Sequence, residues 1–378
     1  MENVFVLQVL PSLTQGGVER GAIEVAAALQ RQGIQNAVVS EGGRMVAELE
    51  ALGIEHITLP VKSKNPFVIW RNSYRLEKIL KDKNVSVVHV RSRAPAWSVK
   101  WACHRIGVPF ITTFHGAYGT KPAWLKKAYN RVMVQGKLVI AVSAFIQQHI
   151  VREYNVPEQH IRLIYRGADI EKFNPTKISV EDVNVFAKEH GIKRDKPIIT
   201  LVGRLSKIKG HSVVLEALRR MKHKKVTCLF FGGKAKPKYA AELENDLNAL
   251  SPETDVKIFS VPGDKMPVAL ALSDVVVQPS LVPEAFGRGI AEAQAMGKIV
   301  VASDHGGACE LISNNRTGFL VPVGNAAVLA DVLDRILDMS VAERQCIEEE
   351  SISSVRHNFS VQKMCDRTIQ VYQEVMHV

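Results

Sequence analysis

Val275-Val276-Val277-Gln278-Pro279-Ser280-Leu281-Val282-Pro283-Glu284-Ala285-Phe286-Gly287-Arg288-Gly289-Ile290-Ala291-Glu292 reads as a short apolar strand, a loop and the opening of a helix. Two carboxylates eight positions apart bracket Phe286 and Gly287, so Glu284 is expected just before the helix and Glu292 about two turns inside it. Phe286, Ile290 and Ala291 imply partly buried surroundings, where an unpartnered carboxylate is costly. Two acids so placed suit a polyhydroxylated ligand.

The same strand-then-helix alternation extends along the chain in both directions. Val4–Leu10, Asn36–Ser40, Ser86–Val90 and Phe110–Phe114 read as strands, with Val18–Gln32 placing Ile23, Ala26, Ala27 and Leu29 at helical spacing. The pattern pauses between Phe173 and Lys196, where Val180–His190 looks helical, and resumes at Ile198–Val202, Thr227–Phe231, Val256–Phe259, Val275–Val277 and Ile299–Ala302. Alternation of this kind implies parallel sheets with crossover helices. A length of 378 residues exceeds what one core usually supports. The expectation is therefore an α/β protein of two domains, 1–178 with the terminal helix 361–378, and 179–360.

Five scattered cysteines with no C-x-x-C pair argue against a disulfide framework or a zinc site, and fit a reducing cytosol. The amino terminus lacks a basic leader, and no apolar stretch approaches the roughly 18 residues that span a bilayer, so any membrane association is expected to be peripheral. Of the net charge of +11, the first 172 residues supply nearly all, with 23 Lys and Arg against 13 Asp and Glu. An anionic partner would meet that half, although a solubilising surface explains the same balance. Nucleic acid is a poor partner, since zinc-finger spacings, aromatic-rich basic strands and a helix-turn-helix are lacking.

Other charged and glycine-rich segments follow strands, where open parallel sheets bind ligands. Gly16 and Gly17 open a helix after the first strand, which favours phosphate but equally suits a tight turn. No G-x-G-x-x-G fingerprint accompanies them. Arg204 and Lys209 follow the first strand of the second half and could neutralise a diphosphate, with Lys207 as a decoy. His115 ends the Phe110–Phe114 strand and could bond a substrate hydroxyl or serve structure alone; His89, Arg91 and Arg93 carry the same ambiguity. Glu310 either meets a ligand or stabilises a helix start.

Taken in order, Gly16-Gly17-Val18-Glu19, Phe114-His115-Gly116, Val142-Ser143, Gly203-Arg204 with Lys209-Gly210, the Glu284 to Glu292 stretch and Gly306-Gly307 with Glu310 resemble family 4 of the retaining, nucleotide-sugar-dependent glycosyltransferases. That resemblance implies the GT-B fold: two facing Rossmann-like domains, a central cleft and a last helix crossing back to the first domain through Met364, Ile369, Val371, Tyr372 and Val375. By the same resemblance Arg204 and Lys209 would hold the donor diphosphate without a metal, consistent with the lack of a D-x-D motif. Glu284 would bind the donor sugar and Glu292 the ribose. Backbone N–H groups of Gly16 and Gly17 and those around Phe286 and Gly287 would complete the cradle, with His115 near the reacting sugar.

Two departures stand out. Arg166 occupies a position where many relatives have Asn, and Phe231-Gly232-Gly233-Lys234 replaces a commoner G-x-G. The run His89–Trp97 with Tyr129–Met133 resembles lipopolysaccharide-core mannosyltransferases, implying transfer of a hexose, with mannose from GDP-mannose as the leading case, to a lipid-linked or phosphorylated saccharide. Pro122–Lys137 could form an interfacial helix or a core-facing one. The location implied is cytoplasmic, or peripheral on the inner face of the cytoplasmic membrane, with no cofactor beyond the donor substrate. A nucleotide-sugar 2-epimerase and an anionic-polymer binding protein are the alternatives.

Overall fold

The computed structural model describes residues 4–14, 16–118, 123–233 and 237–376. Its two compact units are residues 1–166 with 361–378, and residues 167–360.

The first unit is built on seven strands: β1 Phe5–Val9, β2 Gln35–Ser40, β3 Glu55–Thr58, β4 Val87–Val90, β5 Phe110–Phe114, β6 Leu138–Ala141 and β7 Ile161–Leu163. They lie in the order β3-β2-β1-β4-β5-β6-β7, every pair parallel. Central strands such as β4 and β5 are buried along their whole length, as required of a sheet covered on both faces. The helix Gly17–Arg31 turns Val25, Ala28 and Leu29 onto this sheet, where the helix Val361–Met376 adds Met364, Ile369, Val371, Tyr372 and Val375 to one apolar cluster. All five side chains expected to dock are thus buried in the first unit.

Six strands form the second unit's sheet: β8 Ile198–Val202, β9 Thr227–Phe231, β10 Asp255–Phe259, β11 Val275–Gln278, β12 Ile299–Ser303 and β13 Phe319–Val321. Their order is β10-β9-β8-β11-β12-β13, again wholly parallel. In both sheets the order reverses beside the first strand, giving switch points between β1 and β4 and between β8 and β11. These two Rossmann-like sheets are the α/β architecture expected from the sequence.

The boundary differs from the expected residue 178. The second unit begins at Gly167, so residues 167–178 join it, while the helix Val180–Glu189 lies in it as expected and buries Val183, Phe186 and Ala187 in a cluster with Leu229, Phe231 and Leu272. Chain entry and exit of that unit are adjacent: Ala168 N–H donates to Phe359 O at 2.8 Å and Ala168 bridges Ser360. The five cysteines are free thiols, Cys103, Cys228 and Cys365 in the interior. No helix among the described residues is long and apolar enough to cross a membrane.

Candidate active site

In the second unit, the loops after β8 and β11 meet at the switch point. Lys209 Nζ donates to Glu284 Oε1 at 2.5 Å, and Ser280 Oγ donates to the same oxygen at 2.6 Å. Both bonds fall on Oε1, so Oε2 keeps its accepting capacity for a ligand hydroxyl. Burial raises the Glu284 pKa, but the Lys209 charge and the bonds from Lys209 and Ser280 together outweigh it, leaving the carboxyl below its usual range. The side chains of Lys209 and Glu284 are 19% and 26% exposed, enough for a ligand to reach them.

Backbone contacts fix this geometry. Gly210 has φ +75°, and a Cβ there would fall 2.0 Å from the Pro279 carbonyl oxygen, so only glycine lets the β8 loop lie against the β11 loop. Leu281 N–H donates to Ile208 O at 2.8 Å across the same junction. From the β12 side, Gly307 N–H donates to Glu284 O at 2.8 Å, and a Cβ at Gly307 would lie 2.6 Å from Phe286 Cα. Gly306-Gly307 therefore seats the Glu284–Phe286 backbone. His305 Nε2 donates to Ser280 O at 2.9 Å.

Arg204 is exposed, and its side chain has no partner among the described residues, so its guanidinium is available to an anion. Lys207, the decoy, is exposed and paired with Glu242 at 2.7 Å. Glu292 accepts from Arg288 Nε at 2.8 Å, an i,i+4 pair on the helix Arg288–Ala295. Because that helix begins at Arg288, Glu292 lies about one turn inside it, not two. Each acid thus has its own cation. The Phe286 ring is buried and packs 5.9 Å from Phe359, while Gly287, at φ +102°, caps the helix. Glu310 lies in the first turn of the short helix Ala308–Leu311. Lys234 falls outside the described residues.

In the first unit, Gly16 and Gly17 are exposed at the start of the helix Gly17–Arg31. His115, just past β5, accepts at Nδ1 from Arg166 Nη1 at 3.1 Å. Arg166 Nη2 also donates to the Gly17 carbonyl, so the ends of β5 and β7 are tied to the glycine loop. Burial first, then Arg166 and Arg91, hold the His115 pKa well below its ordinary value.

His89 is structural: its Nδ1 bonds Tyr372 Oη and its Nε2 bonds Thr113 Oγ1, both at 2.6 Å, in a fully buried site. Arg91 donates to Gln8 Oε1 at 2.8 and 2.6 Å, and Arg93 to Asn130 Oδ1 at 3.0 Å. The segment expected as an interfacial or core-facing helix divides, since Val132 and Met133 are fully buried while Trp124 and Leu125 are exposed. Pro122 of that segment lies outside the described residues.

Sequence reading missed Ser280 and the contact between Arg166 and His115. Ser280 carried a signal, four residues before Glu284 at a strand end; Arg166 carried none, because its partners are distant in the chain.

The first half of the chain, residues 15–172, matches the model of Glycosyltransferase Family 4, and residues 182–351 match that of Glycosyl transferases group 1. A glycosyltransferase from Rickettsia africae has 38% identity with this chain, both chains covered in full, at a TM-score of 0.93. The chain belongs to the glycosyltransferases. This glycosyltransferase is also 23% identical over 399 residues to an uncharacterised glycosyltransferase of Methanocaldococcus jannaschii, covering 100% of this chain and 99% of the relative. The Anabaena HepE structure in complex with UDP-glucose shares its fold, with a TM-score of 0.84 at 22% identity over 98% and 99% of the two chains.

Proposed function

We propose that this glycosyltransferase is a retaining, metal-independent enzyme that moves a hexose from a nucleotide sugar to an anionic or lipid-linked saccharide. The observation that carries the reading is the junction at the β8–β11 switch point, where Lys209, Glu284 and Ser280 converge beside an exposed Arg204. Lys209 has three N–H donors and uses one on Glu284, leaving two for a diphosphate. Arg204 adds a planar fork, and preorganised cations of this kind stabilise the charge that develops on a leaving phosphate. Glu284 Oε2 takes a sugar hydroxyl. Glu292 takes the ribose while sharing Arg288. In the transfer, the bond from the anomeric carbon to phosphate oxygen breaks with its electron pair leaving on the diphosphate. The acceptor hydroxyl bonds to the same face, and its proton passes to the departing phosphate.

Mannose from GDP-mannose, added to a lipopolysaccharide core, is the narrower version, supported by the runs His89–Trp97 and Tyr129–Met133. Peripheral attachment to an anionic membrane is supported by the basic first half and by exposed Phe67, Trp70 and Tyr74 on the helix Pro66–Asp82.

A thermal-shift panel of UDP-, GDP- and ADP-hexoses tests the reading. The matching donor at one hundred times its dissociation constant adds about 2.7 kcal/mol of stability. NMR of the product then gives its anomeric configuration, expected to equal the donor's and to form at an unchanged rate in EDTA. No shift with any nucleotide sugar sinks the donor site, an inverted product sinks retention, and conversion without acceptor turns the enzyme into an epimerase.

A further inference from the structure

Arg166 is the site residue that the fold's requirements explain least. It is 7% exposed, yet a long cation at a strand end has no need to be inside. The molecule makes room for it: a Cβ on Gly21 would fall 2.5 Å from Arg166 Nη2, so the first helix carries glycine where the guanidinium passes. Nη2 donates to the Gly17 carbonyl, and Nη1 reaches His115 Nδ1 at 3.1 Å.

A guanidinium can only donate hydrogen bonds. The bond at Nδ1 therefore requires a lone pair on that nitrogen, which puts the imidazole proton on Nε2. Nε2 is buried and has no partner among the described residues. Asparagine, the residue the family resemblance leads one to expect here, offers both a donor and an acceptor and would leave the tautomer undecided.

We infer that Arg166 is a positioning residue that locks His115 as the neutral Nε2–H tautomer, so that His115 presents one hydrogen-bond donor, at Nε2, and no charge. The significance for transfer rests on the donor-site reading above; the lock itself does not. A neutral donor can bind a sugar hydroxyl without stabilising the substrate's charge in the ground state. The groups around His115 all favour neutrality. Arg166 and Arg91 are cationic, His89 is held neutral by burial and by Arg91, and the Tyr118 hydroxyl is pushed up to about 12, chiefly by burial. A cavity of about 20 Å³ bordered by His89, Arg91, Thr113, His115, Arg166 and Thr368 has no carboxylate in its lining and is the size of one water.

The test is a long-range proton–nitrogen correlation spectrum of the full chain labelled with 15N-histidine, between about pH 5 and 8, with His115→Gln giving the assignment. Wild type should show an unprotonated Nδ1 and an Nε2–H throughout. Arg166→Met should give mixed tautomers and raise the His115 pKa, and Arg166→Lys should restore the wild-type pattern. A protonated Nδ1 in wild type, or an unchanged His115 in Arg166→Met, overturns the inference. Should Arg166→Met fail to fold, the wild-type spectrum decides, and Gly21→Ala, which keeps Arg166 but crowds its guanidinium, should shift the same resonances. No ligand is needed, so the expected tautomer together with silence from every nucleotide sugar would uphold the lock and sink only the donor site.

Discussion

Lys209 and Glu284 form an ion pair whose main effect, under the proposed function, is on the ligand rather than on the fold. Both side chains are partly exposed, so a Glu284 deprived of Lys209 keeps the Ser280 bond and can take a water in place of the ammonium. Lys209→Ala should therefore leave the thermal midpoint within a few degrees while lowering kcat/KM by about 10²–10³, the usual loss when one preorganised charge-stabilising group is removed. Near-wild-type kcat/KM in that variant would end its assignment. Glu292→Ala should behave differently, because the ribose contact proposed for it is uniform between ground and transition states. KM should rise with kcat little changed, as steady-state kinetics would show. Charged residues at strand ends were legible in the sequence because strand and glycine signals locate them. Ser280 and the Arg166–His115 contact were not, since each depends on a loop conformation or a fold-wide approach: Arg166 and His115 lie 51 positions apart.

Among the elements, the terminal helix Val361–Met376 shows how one hydroxyl can join distant segments. Tyr372 Oη bonds His89 Nδ1 at 2.6 Å, 283 positions away, inside the first unit's core. Tyr372→Phe keeps the ring and strands that nitrogen in a buried site, a change expected to cost about 1–3 kcal/mol. Amide exchange in β4 and β5 should accelerate accordingly; unchanged protection would show that His89 finds another partner. On the surface, Phe67, Trp70 and Tyr74 line one side of the helix Pro66–Asp82, with Phe67 65% exposed. Sedimentation with anionic phospholipid vesicles should fall several-fold in Trp70→Ser and at high salt, if this helix meets a membrane. Most central strands were readable as apolar runs, and β5, β8 and β9 have the bounds expected; β6, Leu138–Ala141, and β13, Phe319–Val321, were missed, being runs of only four and three residues. β3 and β7 were missed as well, because Glu55-His56-Ile57-Thr58 and Ile161-Arg162-Leu163 are short edge strands with polar residues, which lack both a long apolar run and a clean alternation.

At the level of the whole molecule, buried neutral histidines make both units sensitive to acid. His89 and His115 in the first unit have pKa values well below normal, with burial the main cause in each. In the second, burial lowers His211 to about 4, against the opposing influence of the Ser206 backbone. The unfolded chain binds protons at these histidines near pH 6.5 while the native state does not, so stability is full above that pH and falls as the medium is acidified through it. Each histidine of this kind should remove about 1.4 kcal/mol between pH 7.5 and 5.5. His211→Leu removes the second unit's share alone. Native-state amide exchange in β8 and β9 should then show an acid-induced loss smaller by about that amount than in wild type, with the loss in β4 and β5 unchanged. An equal loss in both proteins would mean that His211 is protonated in the folded state, and that the acid response of the second unit comes from other groups.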